Sequence, residues 1–539
     1  MVTRIRQGCL LMMAVVIGGC SQEAEKSRAT PIAGERPNIL LIVADDLGYA
    51  DLGVHGSDIK TPNIDSIAAE GTLFTQFHTA PMCAPTRAML LSGNNNHVAG
   101  MARQGRQDLT GHSVPGYENS LSDRIAPLPR LLHEAGYHTY TVGKWHLGLT
   151  AETSPHAAGF SRSFSLLHGA GTHFDDVGYS EHGSTFWADE DFAEYPVGSY
   201  STEVYTDRLI EFIESNTGDG KPFFAFAAYT SPHWPLQVPD EYLNLYEGQY
   251  DDGYDALRER NFSTLKSAGI IPPESKLPPR NNEITPWEDL DADQRRRESR
   301  KMELYASMVD NLDDHIGRLI GYLKEAGLYE NTLIVFMSDN GAAGEDFDND
   351  GPYTEHIQAH FDNAYETMGT SVSFVSYDDP WAEAGSAPFM RHKTYTREGG
   401  IAAPMMMAGP GVANVGAIDS TYVTVMDLAP TFLEYAGVRY PDDGSVRPML
   451  GESMAGFLAG EAKAVHDEDY VTTLYHSGRA YLRQGNWKIS TLEPPFDEAD
   501  FELFNLSVDP GESNNLAESH AEEYEELLEL WRDQRRKLG

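Results

Sequence analysis

An α/β fold, with a large and mostly parallel sheet sandwiched by helices, is expected of this 539-residue chain on three grounds. Four short apolar runs are continuous rather than alternating, which marks strands buried on both faces. Between them lie segments with apolar residues at helical spacing, as in helices laid over such a sheet. Each run also ends in a turn rich in charged or polar residues, and open α/β sheets bind ligands beyond the carboxyl ends of their strands.

The N-terminus is a separate object. Arg4 and Arg6 precede an apolar run from Leu10 to Ile17, which ends in Ile17-Gly18-Gly19-Cys20-Ser21. The run is too short to span a bilayer and has the form of a signal peptide over residues 1–20. Residues 21–36 are polar and aperiodic, as expected of a tether.

The first strand, Asn38 to Ala44, runs into Asp45-Asp46-Leu47-Gly48. Cys83-Ala84-Pro85-Thr86-Arg87 comes next. Proline suits a first helical turn and the helix-prone stretch stops at Gly93, so Cys83 is expected just ahead of a helix N-terminus. Free N–H groups and the helix dipole would favour negative charge there. Cys9 leaves with the signal and Cys20 stands at its end, so Cys83 has no disulfide partner in the body. Its thiol is either an inert core group or a chemical handle.

A helix from Pro129 to Ala135, closed by Gly136, leads into the strand His138 to Val142, which passes through Gly143 to Lys144 and His146. The run Phe223 to Ala228 leads through a turn to His233. Tyr305, Met308, Val309, Leu312, Ile316, Leu319, Ile320 and Leu323 trace one face of a long helix ended by Gly327. The strand Thr332 to Ser338 then runs into Asp339-Asn340-Gly341.

Composition changes near residue 440. Asp469 to Tyr475, Arg479 to Arg483 and Trp487 to Ser490, with turns at Gly478 and Gly485, suggest a small antiparallel sheet. The closing helix carries Tyr524, Leu527, Leu528 and Trp531 on one face. It is acidic at its start and basic at Arg535-Arg536-Lys537, which matches the helix dipole. The expected division is thus an α/β body over 37–440 and a smaller unit over 441–539. Tyr246 to Arg300 and Glu345 to Ala387 read as insertions.

Hydrophobic residues make up 41% of the chain, as in ordinary globular proteins. A net charge of −42 leaves no basic footprint for nucleic acid. Asp45, Asp46, Asp339 and Asn340 offer hard oxygen ligands, which suit calcium or magnesium rather than zinc. Each pair alone is an ordinary turn former. Two pairs after two buried strands gather three carboxylates that call for a cation. Arg87, Lys144, His146, His233 and Lys393 form a cationic set able to stabilise an anion, although singly each is an ordinary solvated or hydrogen-bonded residue.

Cys83-Ala84-Pro85-Thr86-Arg87, followed by Leu90-Leu91-Ser92-Gly93, resembles the signature of the formylglycine-dependent sulfatases of the alkaline phosphatase superfamily. Gly143-Lys144-Trp145-His146, Ser231-Pro232-His233-Trp234-Pro235 and Lys393 ahead of Glu398-Gly399-Gly400 match in the same order. So do Leu503-Phe504-Asn505-Leu506 and Asp509-Pro510-Gly511-Glu512 near the C-terminus. Thr86 and Ser92 stand where the family more often has serine and threonine, and Ala402 where it commonly has arginine.

The resemblance, which looks nearest to bacterial arylsulfatases, implies an alkaline phosphatase-like fold and a sulfuric ester hydrolase. It implies that a maturation enzyme oxidises Cys83 to formylglycine, whose hydrate is the nucleophile. One divalent cation, calcium or else magnesium, would be held by Asp45, Asp46, Asp339, Asn340 and an oxygen on residue 83. Arg87 and Lys144 would stabilise the nucleophile, and Asp339 would share in activating it. His233 or Lys393 would assist the leaving alcohol, and His146 would be the base that releases sulfate.

The substrate would be an aryl sulfate-like monoester, chosen by the loop from His168 to Asp176 and the insertion ahead of Lys393. A sulfated-glycan sulfatase is an alternative reading. Others are a phosphodiesterase or phosphonate monoester hydrolase of the same superfamily, and a non-catalytic lipoprotein that binds sulfated polymers. The sequence at Cys20 resembles a bacterial lipoprotein box, which implies an exported, lipid-anchored protein of the periplasm, outer membrane or cell surface.

Overall fold

The computed structural model describes residues 36–105, 114–347 and 351–538. The signal segment, Cys9, Cys20 and the tether up to residue 35 lie outside the described residues. Among those described, no helix is long and apolar enough to cross a membrane.

The four strands read from continuous apolar runs form the centre of a ten-stranded sheet. In space they follow the order Thr332–Ser338, Asn38–Ala44, Phe223–Ala228, His138–Lys144, all parallel. Register is fixed by pairs such as Ile39 with Leu333 on one side and Ile39 with Phe224 on the other. Beyond Thr332–Ser338 come Met405–Ala408, Gly71–Phe74 and Ala417–Asp419. Beyond His138–Lys144 come Arg162–Leu166, Phe186–Ala188 and Asp191–Ala193. Met405–Ala408 runs antiparallel to both of its neighbours, as Phe186–Ala188 does to its own, so the sheet is mixed but mostly parallel.

Continuous hydrophobicity in these strands follows from two cores. Leu40 and Ile42 enter one apolar cluster while Ile39, Leu41 and Val43 enter the other, because successive side chains alternate across a sheet. The 34-residue helix Ala292–Glu325 and the helix Ser201–Ser215 cover the first face. Helices Cys83–Ser92, Leu128–Glu134 and Leu428–Ala436 cover the second. The stretches read as insertions supply helices Gly253–Ser267, Thr354–His360 and Asp378–Gly385, which join the first face.

Near the C-terminus, Val471–His476, Arg479–Gln484 and Trp487–Ser490 form the expected antiparallel sheet. A fourth strand, Glu502–Asn505, completes it. That strand is short and ends in a polar turn, so its pattern alone gave no strand signal. Helix Ala521–Leu538 closes this unit over Trp531 and Phe501.

A candidate anion-ester site at the strand ends

Residues at or just beyond the ends of the four central strands meet at one point. Asp45 and Asp46 follow Asn38–Ala44, and Asp46 holds a left-handed backbone (φ 66°) that turns the chain sharply away from the strand. Lys144 ends its own strand. Gly143 before it lies at φ 86°, where a Cβ would come within 1.8 Å of the Ala228 carbonyl. Only glycine lets the two strands approach this closely.

Cys83 is the first residue of helix Cys83–Ser92 rather than the residue ahead of it, and the helix is buried on all sides before Gly93 ends it at φ 63°. Thr86 Oγ1 accepts from the Ala80 N–H at 3.0 Å and fixes the approach to the first turn. For the unmodified thiol, burial outweighs the help that the helix N-terminus gives to negative charge. Burial pushes the thiol well up, and Asp339 adds to it, against the smaller opposing pull of Lys144 and Lys393. The unmodified thiol stays protonated here.

The acidic and cationic sets are interleaved. Lys144 Nζ donates to both Asp45 oxygens at 2.7 Å. Arg87 donates twice to Asp339 Oδ2, at 2.8 and 3.0 Å, and once to the Lys144 carbonyl at 2.7 Å. Lys393 Nζ donates to Asp46 Oδ2 at 2.8 Å. Asn340 Nδ2 donates to Asp46 Oδ1 at 2.6 Å, and Cys83 Sγ lies 3.6 Å from that same oxygen. Every residue named here is buried.

This corrects one expectation: three carboxylates do not stand uncompensated, because three cations face them. The fit to a metal rests on other observations. Ligating atoms of Asp45, Asp46, Cys83 and His233 all lie within 4.8 Å of one another. Asn340 Oδ1 is buried with no hydrogen-bond partner among the described residues, as a carbonyl oxygen reserved for a cation would be. Burial pushes the Asp45 carboxyl up to about 7 in spite of Lys144, so a further positive charge is wanted beside it. A divalent cation would leave a net positive pocket for an anionic ester.

His233 and His146 stay neutral. Burial, with Lys393 and Lys144 for His233 and with Lys144 and Arg87 for His146, holds both rings well below the usual imidazole range. His233 Nδ1 lies 2.7 Å from the Trp234 carbonyl, which can only accept, so Nδ1 carries the proton and Nε2 the lone pair. Lys393 Nζ lies 3.4 Å from that Nε2. Burial alone would lower the Lys393 ammonium, but Asp46 and Glu345 outweigh it and hold it well above its usual range. Lys393 therefore holds the proton of this pair. His146 lies at φ 59°, and its buried Nδ1 has no partner among the described residues.

Nine of the ten candidate residues are thus joined by direct contacts, and His146 lies within electrostatic reach of Lys144, Arg87, Lys393 and His233. Sequence reasoning missed three supports. Glu345 Oε1 lies 3.1 Å from Lys393 Nζ, and nothing in its acidic surroundings marked it out. Gly169 backs the His146 ring so closely that a Cβ would come within 2.2 Å of Cε1. Glu398, noted only as motif text, accepts from Lys488 Nζ at 2.7 Å and pairs with His78 Nε2 at 2.6 Å, while its N–H donates to Glu512 Oε2 at 2.6 Å. This buried knot ties the loop that carries Lys393 to the C-terminal sheet.

The chain matches a family profile described as Sulfatase over residues 37–438, and one described as N-sulphoglucosamine sulphohydrolase, C-terminal, over residues 389–537. It is 39% identical over 518 residues to an uncharacterized sulfatase of Schizosaccharomyces pombe, covering 92% of this chain and 93% of that one. It is 38% identical over 459 residues to an arylsulfatase of Klebsiella aerogenes, covering 83% of this chain and 95% of that one. Among solved structures, Ps i-CgsB in complex with k-i-k-neocarrahexaose shares the fold with a TM-score of 0.66. That pair is 24% identical over 94% of this chain and 93% of that one. A phosphonate monoester hydrolase of Agrobacterium radiobacter shares it with a TM-score of 0.58, at 18% identity over 94% of this chain and 96% of that one.

Proposed function

The chain belongs to the sulfatase family, and on that premise we propose that it hydrolyses aryl sulfate-like monoesters with a formylglycine made from Cys83. The observation that carries this reading is the gathering of Cys83, Asp45, Asp46 and His233 at one buried point ringed by Arg87, Lys144 and Lys393. A protonated thiol in that place is a poor nucleophile, which supports its conversion before use.

Matured and hydrated, residue 83 would supply one hydroxyl for attack on sulfur and a second whose deprotonation releases sulfate. A hard divalent cation, which we take to be calcium, would be held by Asp45, Asp46, Asp339, Asn340 and residue 83 and would act as a Lewis acid toward the ester oxygens. The chain's own groups do the rest. Arg87 and Lys144 are fixed beside residue 83 by Asp339 and Asp45, so their charge is already in place when negative charge develops. Lys393 delivers its proton toward the departing alcohol oxygen, and neutral His233 keeps it aimed through Nε2. His146 brings an unprotonated ring to the step that releases sulfate.

The test is expression with and without a formylglycine-generating enzyme, with peptide mass spectrometry of residue 83 beside turnover of 4-nitrophenyl sulfate and an aryl phosphodiester. Aldehyde and sulfate turnover should appear together. Sulfate turnover by protein that keeps the thiol, or faster turnover of the phosphodiester, defeats the proposal. We also propose export as a lipoprotein anchored through Cys20, supported by the pattern from Arg4 to Ser21. Palmitate labelling that survives Cys20→Ala defeats that part.

A further inference from the structure

A group of aromatic side chains begins where the proton-handling pair ends. The Trp234 ring lies 4.2 Å from that of His233 (centroid to centroid) and 4.7 Å from that of Phe347. Tyr179 meets Trp234 edge-on at 5.9 Å, and Tyr353 lies 4.6 Å from Tyr179 and 5.7 Å from Phe347. Three separate segments supply these rings. Tyr179, Phe347 and Tyr353 stay partly exposed although they border the first core.

Two buried polar atoms in these segments lack partners among the described residues: Nε1 of the Trp234 ring itself and Oε2 of Glu345, two residues before Phe347. A buried polar atom left without a protein partner is open to a hydrogen bond from a ligand or water, and Glu345 Oε2 is such an acceptor within one residue's reach of Lys393. Glu345 spends its other oxygen on Lys393, at 3.1 Å. The carboxylate is thus tied to the proposed proton donor and lies two residues before Phe347, in the segment that brings that ring to Trp234. Asp379 adds negative charge close by: a Cβ on Gly344, next to Glu345, would come within 2.3 Å of Asp379 Oδ1.

A carboxylate oxygen without a donor, on the same segment as an electron-rich ring group, favours positive charge. It also repels anions, and the chain as a whole, at −42, adds to that field. We propose that Trp234, Phe347, Tyr353 and Glu345 form a leaving-group subsite for sulfate esters whose alcohol is aromatic and carries an ammonium group. Polyanionic alcohols are disfavoured there. This rests on the sulfatase reading for the position of the ester, but the charge selection is tested separately.

The experiment compares three aryl sulfates whose phenols have similar acidity: tyramine O-sulfate, 4-methylphenyl sulfate, and the O-sulfate of 4-hydroxyphenylpropionate. For the matured enzyme, kcat/KM is expected to rank ammonium above neutral above carboxylate, with about tenfold or more between the extremes. Glu345→Gln should compress that ratio, and Phe347→Leu should reduce the advantage of the ammonium ester over the neutral one. Binding of the same esters to Cys83→Ala, measured by calorimetry, should give the same ranking without turnover. Absence of all turnover with the binding ranking intact strikes the sulfatase reading alone. A flat or reversed ranking in binding, or a ratio unmoved by Glu345→Gln, overturns the subsite.

Discussion

Gly169→Ala offers a direct measure of how closely the fold holds the proposed base, His146. Gly169 has an ordinary backbone conformation, so alanine brings no dihedral strain, but its Cβ would lie 2.2 Å from His146 Cε1 and 2.5 Å from Nε2. Restoring an ordinary contact of about 3.4 Å moves the ring by about 1.2 Å, and misplacing a reacting group by about 1 Å costs on the order of a hundredfold in rate. The overpacking should cost about 1–3 kcal/mol in stability, which leaves the protein folded. If His146 serves sulfate release as proposed, stopped-flow assay with 4-nitrophenyl sulfate should show a burst of nitrophenol followed by a slow steady state. His146→Ala should lower kcat by about a hundredfold to ten-thousandfold. Adding Gly169→Ala to it should cost nothing more in rate, since the clashing ring is gone. Independent, multiplying losses in the double variant, or an unaltered steady state in Gly169→Ala, would show that Gly169 does not act through His146.

Lys488→Met should destabilise the protein by about 3–5 kcal/mol in denaturant titrations, because Glu398 and Glu512 lose a fully buried counter-ion at 2.7 and 3.0 Å. Turnover should fall with it, as Glu398 anchors the Lys393 loop. Metal removal should leave a distinctive pH dependence. With its folded value raised to about 7, the Asp45 carboxyl binds a proton more tightly in the folded metal-free protein than in the unfolded chain. Its contribution to stability is whole below about pH 4 and is lost as the pH rises through about 7. Asp51, pushed by burial to about 6, adds a slope of the same sign. Thermal midpoints in chelator should therefore fall between about pH 5 and pH 8 more steeply than in calcium, and equal slopes would speak against a cation beside Asp45.

The central strands, and the candidate residues that meet at their ends, were legible because both are local properties of the text. A continuous apolar run such as Asn38 to Ala44 can only be buried on both faces, and the charged residues that end such runs must lie at one edge of a parallel sheet. Gly93 stopped its helix as a left-handed cap should. What the text could not convey was who pairs with whom. Arg87 and Asp339 are 252 positions apart, and Lys393 and Asp46 are 347, so these bonds exist only once register and layer packing have closed. The balance of charge at Cys83 was hidden for the same cause: a helix dipole is visible in a sequence, whereas the desolvation that opposes it belongs to the finished interior. Glu345 and Gly169 lay in loops expected to shape the pocket but carried no residue-level signal, since a partner 48 residues away or a ring filling the space of an absent Cβ leaves no mark on the local pattern. Composition and periodicity thus set the scaffold and the chemical inventory, while the charge balance and aim of each group came from long-range closure into a medium that water does not reach.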